Sequence, residues 1–458
     1  MKDRISLWIS RILKDKDTRN VASNIIATVG IKGFTLILAL LTIPAYLRFF
    51  SDNVQLGVWF AIAAVLDWFL VFDLGIGNGL RNNLTIAIAN KDIKKQHELV
   101  SSAYSASLAL ALIVFTAFLI GRGLINFNSL LNIGENEVSS EILLSSVTIV
   151  VLGVVFQLFL KNVTSVLYAL QLSMINNLLN AISSILIYVG LLVLAQFRVS
   201  DKLISISIVY AIAINAPLFT ASLVLFAGRL RHIMPSLSRV NSESVNQVVK
   251  LGGVFFLVQI LYMVIVGTNE YLILLISKPE DVVEYKIYAR LFQLVSTLFT
   301  LSLAPLWSAV TKGFAERRIE WVKQMYRYML YAAAAVFAVG LLLVVAFPHI
   351  LRMWLGDDSL VFNMSYALWF LAQGTITVFA VVFSTIANGA ARLKTQTISY
   401  TAGVLLKLTL SFLLYSLMGD SWIGIVAATF FALVPYCVVE PFVIRSYFRR
   451  QLDMESNI

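Results

Sequence analysis

Cysteine is nearly missing from this chain: one residue, Cys437, among 458. An internal disulfide framework and a cysteine-based metal site are therefore excluded. Charge is scarce as well. Asp, Glu, Lys and Arg make up 13% of the residues, against roughly 25% in a soluble domain. The three histidines, His97, His232 and His349, are far apart in the chain. No catalytic residue and no metal-ligand set can be assembled around them. The spacing G-x-G-x-x-G behind a strand is also missing, so nucleotide binding is not indicated and no cofactor is expected.

Apolar side chains fill the space the charges leave. They account for 59% of the residues, and the mean hydropathy is +0.85. One core cannot hide that much apolar surface, so the chain is read as dissolved in lipid. Soluble enzymes, disordered tails and nucleic-acid modules are excluded as descriptions of the whole chain. The net charge of +10 then speaks to orientation and to contact with anionic lipid; no nucleic-acid partner is expected.

A membrane helix needs ~20 mostly apolar residues. Twelve stretches qualify: 21–48, 54–80, 99–120, 142–166, 177–196, 203–228, 251–276, 287–310, 328–347, 362–387, 396–417 and 421–444. They are continuously apolar and do not alternate, which speaks against a β-barrel. With backbone groups satisfied inside each segment, the expected fold is all-α. With the N-terminus in the cytoplasm, the inside segments hold 24 Lys and Arg and the outside loops hold seven. That split predicts an even number of spans and both termini inside. The first apolar run has no small-residue cleavage site and is expected to remain as a span. Ahead of it, in 1–20, Ile5, Trp8, Ile9 and Ile12 fall at helical spacing. This segment reads either as an amphipathic helix on the inner leaflet or as an unstructured basic leader.

The chain looks duplicated. Ala89-Asn90-Lys91-Asp92-Ile93 matches Ala315-Glu316-Arg317-Arg318-Ile319 at an offset of 226. Ala169-Leu170-Gln171-Leu172 matches Ala390-Ala391-Arg392-Leu393 at an offset of 221. Two six-helix lobes related by a parallel pseudo-repeat around a central cavity are expected. Their limits are 21–228 and 251–444, joined by a cytoplasmic linker at 229–250 and followed by a cytoplasmic tail at 445–458.

Eight ionisable residues fall inside the spans: Lys32, Asp67, Asp73, Lys161, Glu270, Arg290, Lys407 and Glu440. Each costs on the order of 3 kcal/mol at the bilayer centre, so each needs a reason. At ~1.5 Å per residue, Lys32, Asp67 and Lys407 lie roughly 17–20 Å into their spans, near the middle. They are candidates to line a cavity, where a fixed cation attracts phosphate; Lys32 with Asp67 also makes an obvious structural pair. Glu270 and Arg290, toward the outer ends of neighbouring spans, read either as a salt bridge or as substrate contacts. Lys161 and Glu440 are expected to snorkel to the inner interface. Pro44, Pro217, Pro305 and Pro435 lie inside spans, where kinks would suit rocking lobes. Trp59, Trp68, Tyr262 and Trp307 read either as sugar-stacking platforms or as packing residues.

The second span closes on Phe72-Asp73-Leu74-Gly75-Ile76-Gly77-Asn78-Gly79-Leu80-Arg81-Asn82-Asn83. This segment resembles the matching part of Wzx-type O-antigen and polysaccharide flippases. These belong to the multidrug/oligosaccharidyl-lipid/polysaccharide (MOP) exporter superfamily. Length, span count and duplication extend the resemblance over the chain. It implies a transporter, not an enzyme, in the bacterial inner membrane. The implied activity moves a polyprenyl-diphosphate-linked glycan from the inner to the outer leaflet by alternating access, with proton or sodium coupling. Membrane lipid and other polysaccharide-assembly proteins are the implied partners. Asp73 and Arg81 carry over by position; Lys32, Asp67, Glu270, Arg290 and Lys407 complete the candidate set. A multidrug-type cation antiporter on the same scaffold is the rival, followed by a membrane enzyme of polysaccharide assembly.

Overall fold

The computed structural model describes residues 16–50, 75–128, 138–197, 199–277, 279–355, 362–419 and 421–456, with isolated positions between 55 and 62. The described residues form helices and no strand. In chain order these are α1 (Lys16–Phe50), α2 (Ile76–Ala89), α3 (Ile93–Gly121), α4 (Ser140–Leu160), α5 (Asn162–Ala169), α6 (Ser173–Leu194) and α7 (Lys202–Ala227). Two short 3-10 turns, Arg231–Ile233 and Leu237–Arg239, follow. Then come α8 (Ser242–Gly267), α9 (Asn269–Ile276), α10 (Pro279–Ala315), α11 (Ile319–Leu355), α12 (Met364–Gly389), α13 (Lys394–Leu417) and α14 (Ile423–Ser456).

Eleven helical segments among the described residues are long and apolar enough to cross a membrane. They correspond to eleven of the twelve expected spans. Most of the other, 54–80, lies outside the described residues, as do residues 1–15. The chain is a multi-pass membrane protein. The four prolines expected to kink spans each sit inside an uninterrupted helix. The breaks fall elsewhere, at Lys161 between α4 and α5 and at Thr268 between α8 and α9.

The chain divides into two compact units, Met1–Gly253 and Val254–Ile458. In the first, α1 packs on α6, α4 on α7, and α2 on α3 and α5. Its apolar core has one cluster around Phe49, Trp59, Leu143, Val150, Leu191 and Tyr210, and another around Leu80, Leu84, Val100, Tyr104 and Val166. In the second, α13 packs on α14, and α12 on α10, α11 and α14. Stacked rings dominate there: Tyr288, Phe292, Phe347 and Phe370 lie with centroids 4.7–5.8 Å apart. Of the segment expected to be a linker, residues from Ser242 onward already belong to α8.

The duplication is visible in the backbone. Among the described residues, four non-glycine residues have positive φ: Lys91, Gln171, Arg317 and Ala391. Each ends a helix in the left-handed conformation, and each turn closes with the same three bonds. At Lys91 they run Asn90 N to Ile86 O, Lys91 N to Ile88 O and Asp92 N to Ala87 O, and the pattern repeats at the other three. This is the Schellman arrangement, which satisfies the last carbonyls of a helix. Lys91 and Arg317 confirm the offset of 226, but Gln171 pairs with Ala391 and sets the second offset to 220, one residue less than the side chains suggested.

Candidate functional site

The glycine-rich segment closing the second span builds a close helix crossing within the first unit. Gly75 has φ +70° and opens α2. A Cβ on Gly75 would stand 1.9 Å from the Gly252 carbonyl oxygen of α8, and one on Gly79 would stand 2.2 Å from the Val248 carbonyl oxygen. Glycines four apart share one helix face, so this spacing lets two backbones touch where any side chain would hold them apart. Asn83, one turn further, donates to the Gln247 carbonyl at 3.5 Å. Nearby, Lys95 Nζ donates to Ser244 Oγ at 3.1 Å. Arg81 is 5% exposed, with its guanidinium 4.4 Å above the Tyr168 ring of α5. The motif thus shapes the fold locally, and Arg81 is part of the interior of the unit. Asp73 and Asp67 lie outside the described residues. Lys32 is half-buried on α1, one turn from Thr28, which accepts a 2.8 Å bond from Asn177 of α6.

In the second unit the outer pair differs from expectation. Glu270 pairs with Lys286 at 3.1 Å, both about half exposed, while Arg290 is exposed on α10. The reason is geometric: α9 starts at Asn269 and presents Glu270 to the first turns of α10, where Lys286 stands one turn before Arg290. Glu440 is a second correction. It was expected to snorkel, yet it is 1% exposed and its Oε2 has no hydrogen-bond partner. Snorkelling needs a long flexible stem, which a glutamate on a packed helix face lacks. One turn before it, Tyr436 accepts a bond from Ser384, which also accepts from Gln396 at 2.9 Å and lies 3.2 Å from the Tyr400 hydroxyl.

Lys407 is 0% exposed inside the second unit. Its Nζ donates to Asn269 Oδ1 at 2.6 Å, to the Ile425 carbonyl at 2.7 Å and to Thr429 Oγ1 at 2.7 Å. An ammonium has three protons, and all three are used. Lys407 therefore has no donor left for a phosphate in this conformation, contrary to the cavity role expected of it. Asn269 and Thr429 were missed at the sequence level because neither is charged. The polar run Thr268-Asn269-Glu270 inside an apolar span was the available signal.

Of the four aromatics read as sugar platforms or as packing residues, three are packed and Trp68 lies outside the described residues. Trp59 is fully buried, edge-on to Tyr210 at 5.5 Å; Tyr262 lies 5.7 Å from Tyr400 and Trp307 5.2 Å from Phe255. Among the described residues no group of His, Cys, Asp and Glu is placed to hold a metal ion. A groove of about 320 Å³ in the second unit is lined by Arg392, Phe442, Val443, Ser446, Tyr447 and Arg450. The Arg392 guanidinium lies 4.7 Å over the Tyr447 ring. Two guanidiniums and two hydroxyls beside an aromatic and a branched apolar side chain suit a phosphorylated head group with a lipid tail.

No family model matches the chain. It is 22% identical over 381 residues, 78% of its length and 82% of theirs, to a Yersinia pseudotuberculosis protein named as an O-antigen export protein. It is 22% identical over 290 residues, 62% of its length and 63% of the relative's, to a Salmonella typhi protein named as an O-antigen transporter. The fold matches an outward-facing multidrug resistance MATE family transporter of the MOP superfamily with a TM-score of 0.78 at 13% identity, over 96% of this chain and 98% of that one. It also matches a MOP superfamily transporter from Pyrococcus furiosus, described as having a binding pocket of reverse polarity, with a TM-score of 0.77 at 14% identity, over 96% and 98%. The fold is thus shared with solved transporters of the MOP superfamily. The sequence similarity is to proteins named for O-antigen export or transport.

Proposed function

We propose that this chain is a flippase for a polyprenyl-diphosphate-linked glycan, moving an O-antigen or related repeat unit from the inner to the outer leaflet of the bacterial inner membrane by alternating access. The observation that carries the reading is the similarity to two proteins named for O-antigen transport, one of them over 78% of the chain. The substrate's chemistry agrees with it. A diphosphate and sugars are too polar for hydrocarbon, whereas the polyprenyl tail is at home there. The groove with Arg392 and Arg450 lies between segments whose basic residues mark them as cytoplasmic. It is a place where the diphosphate is first held while Phe442 and Val443 meet the tail.

The test is flux of a labelled polyprenyl-diphosphate glycan in vesicles containing the purified chain, with and without a proton or sodium gradient. Protein-dependent movement to the far leaflet is expected, with Arg392→Ala/Arg450→Ala raising the substrate concentration needed for half-maximal flux about tenfold or more. A chain that moves no such lipid would sink the reading. A second reading, a multidrug-type cation antiporter, is favoured by the fold match to a multidrug MATE transporter. Flux of small organic cations in the same vesicles, with no glycan movement, would select it.

A further inference from the structure

Lys407 is the most deeply enclosed charge among the described residues, and its surroundings have the composition of a cation site. Two helices supply three oxygens: the amide oxygen of Asn269 from α9, and from α14 the Ile425 carbonyl and the Thr429 hydroxyl, around an ammonium carried by α13. All three are neutral oxygens at 2.6–2.7 Å. They are oriented inward: Thr429 Oγ1 also lies 2.9 Å from Asn269 Oδ1, and Asn269 Nδ2 turns away to the Tyr285 hydroxyl at 3.3 Å. Among the described residues no ion pair reaches Lys407, and the three neutral oxygens hold its end group.

A second, independent feature sits at the same spot. The apolar segment from Ser242 to Ile276 is not one helix. It ends at Gly267 and restarts at Asn269, with Thr268 between. Broken helices at membrane depth are tolerated only where something other than lipid satisfies the freed groups, and they commonly frame ion sites. Asn269, the first residue after the break, is also the amide that faces Lys407. The match between break, oxygen cage and positive charge is what a bound monovalent cation would leave, with a lysine end group in its place.

We propose that Lys407 is a resident, covalently tethered cation. Its ammonium occupies a monovalent-cation site built from Asn269, Ile425 and Thr429 across the break between α8 and α9. In the wild-type chain this site is closed to free ions, and removing the lysine end group opens it to sodium, potassium or ammonium. The inference does not depend on what the protein transports.

The test uses the full chain, purified in detergent and melted in sodium, potassium, ammonium or choline chloride at equal ionic strength. Wild type should melt at one temperature in all four. Lys407→Ala should melt lower in choline and regain about 5 °C or more, saturably, in at least one of the small cations. Lys407→Met fills the same space without charge; it should melt below wild type and gain nothing from any salt. The proposal is overturned if Lys407→Ala responds equally to all four salts, or if Lys407→Met melts with wild type. It is equally overturned if Lys407→Ala can be recovered folded in none of the four. A cage that only the tethered amine can fill is a packing site and not a cation site.

Discussion

At the offset of 220 set by Gln171 and Ala391, Lys407 on α13 corresponds to Ile187 on α6. The two residues sit at matching places in a duplicated architecture and do opposite things. Ile187 packs on an apolar cluster with Tyr188, Leu191 and Val209. Lys407 holds three oxygens from α9 and α14. The crossing motif is one-sided in the other direction. At the offset of 226 the positions of Gly79 and Arg81 are taken by Pro305 and Trp307. The two units therefore share turns and helix order but not the interactions inside them. A backbone plan tolerates such divergence because the Schellman turns need only local bonds, while an interior needs mutual fit.

The largest expected effect separates the two units directly. Thr429→Val or Asn269→Ala strips a neutral acceptor from a buried ammonium, and losing such a hydrogen bond costs about 1.5–3 kcal/mol. Ile187→Met, at the matching place, conserves volume in an apolar cluster and should cost under about 1.5 kcal/mol. Thermal melting of the purified variants in detergent measures both; equal losses would mean that the two interiors are energetically alike after all. Next comes Gly79→Ala. Its new methyl would meet the Val248 carbonyl at 2.2 Å, so α2 must move off α8, at about 1–3 kcal/mol for overpacking. Pro305→Ala should show no comparable loss in the same melt, because it shortens a side chain where Gly79→Ala adds one.

Smaller effects should be symmetric. Gln171→Gly and Ala391→Gly relieve a left-handed residue in equivalent turns, and each should stabilise by about 1 kcal/mol. A gain in one and a loss in the other would break the equivalence of the turns. The smallest effect is Lys286→Ala, which removes an exposed partner of Glu270 and should change stability by less than about 1 kcal/mol.

Much of the architecture could be read from residue order. Eleven of twelve spans appear as helices at the expected places, and the Lys91 and Arg317 turns were visible as matching strings. The candidate site was far less legible. Lys407 stood out by its charge, but its partners lie 138, 18 and 22 residues away and two of them are uncharged side chains. Depth along a span placed Glu440 near an interface, yet depth does not say which way a helix face points. For Glu270, the choice between Lys286 and Arg290 turned on where α9 restarts, a break that hydropathy averages over.

Hydropathy, the imbalance of basic residues and the repeated helix ends are sums over neighbours in the chain, so membrane residence, helix count and duplication were already contained in the order of the amino acids. Which buried charge is satisfied, by which atoms, depends on helices remote in sequence arriving at hydrogen-bond distance. That is a property of packing, and it turned Lys407 from a waiting phosphate ligand into a closed, three-fold-bonded cation.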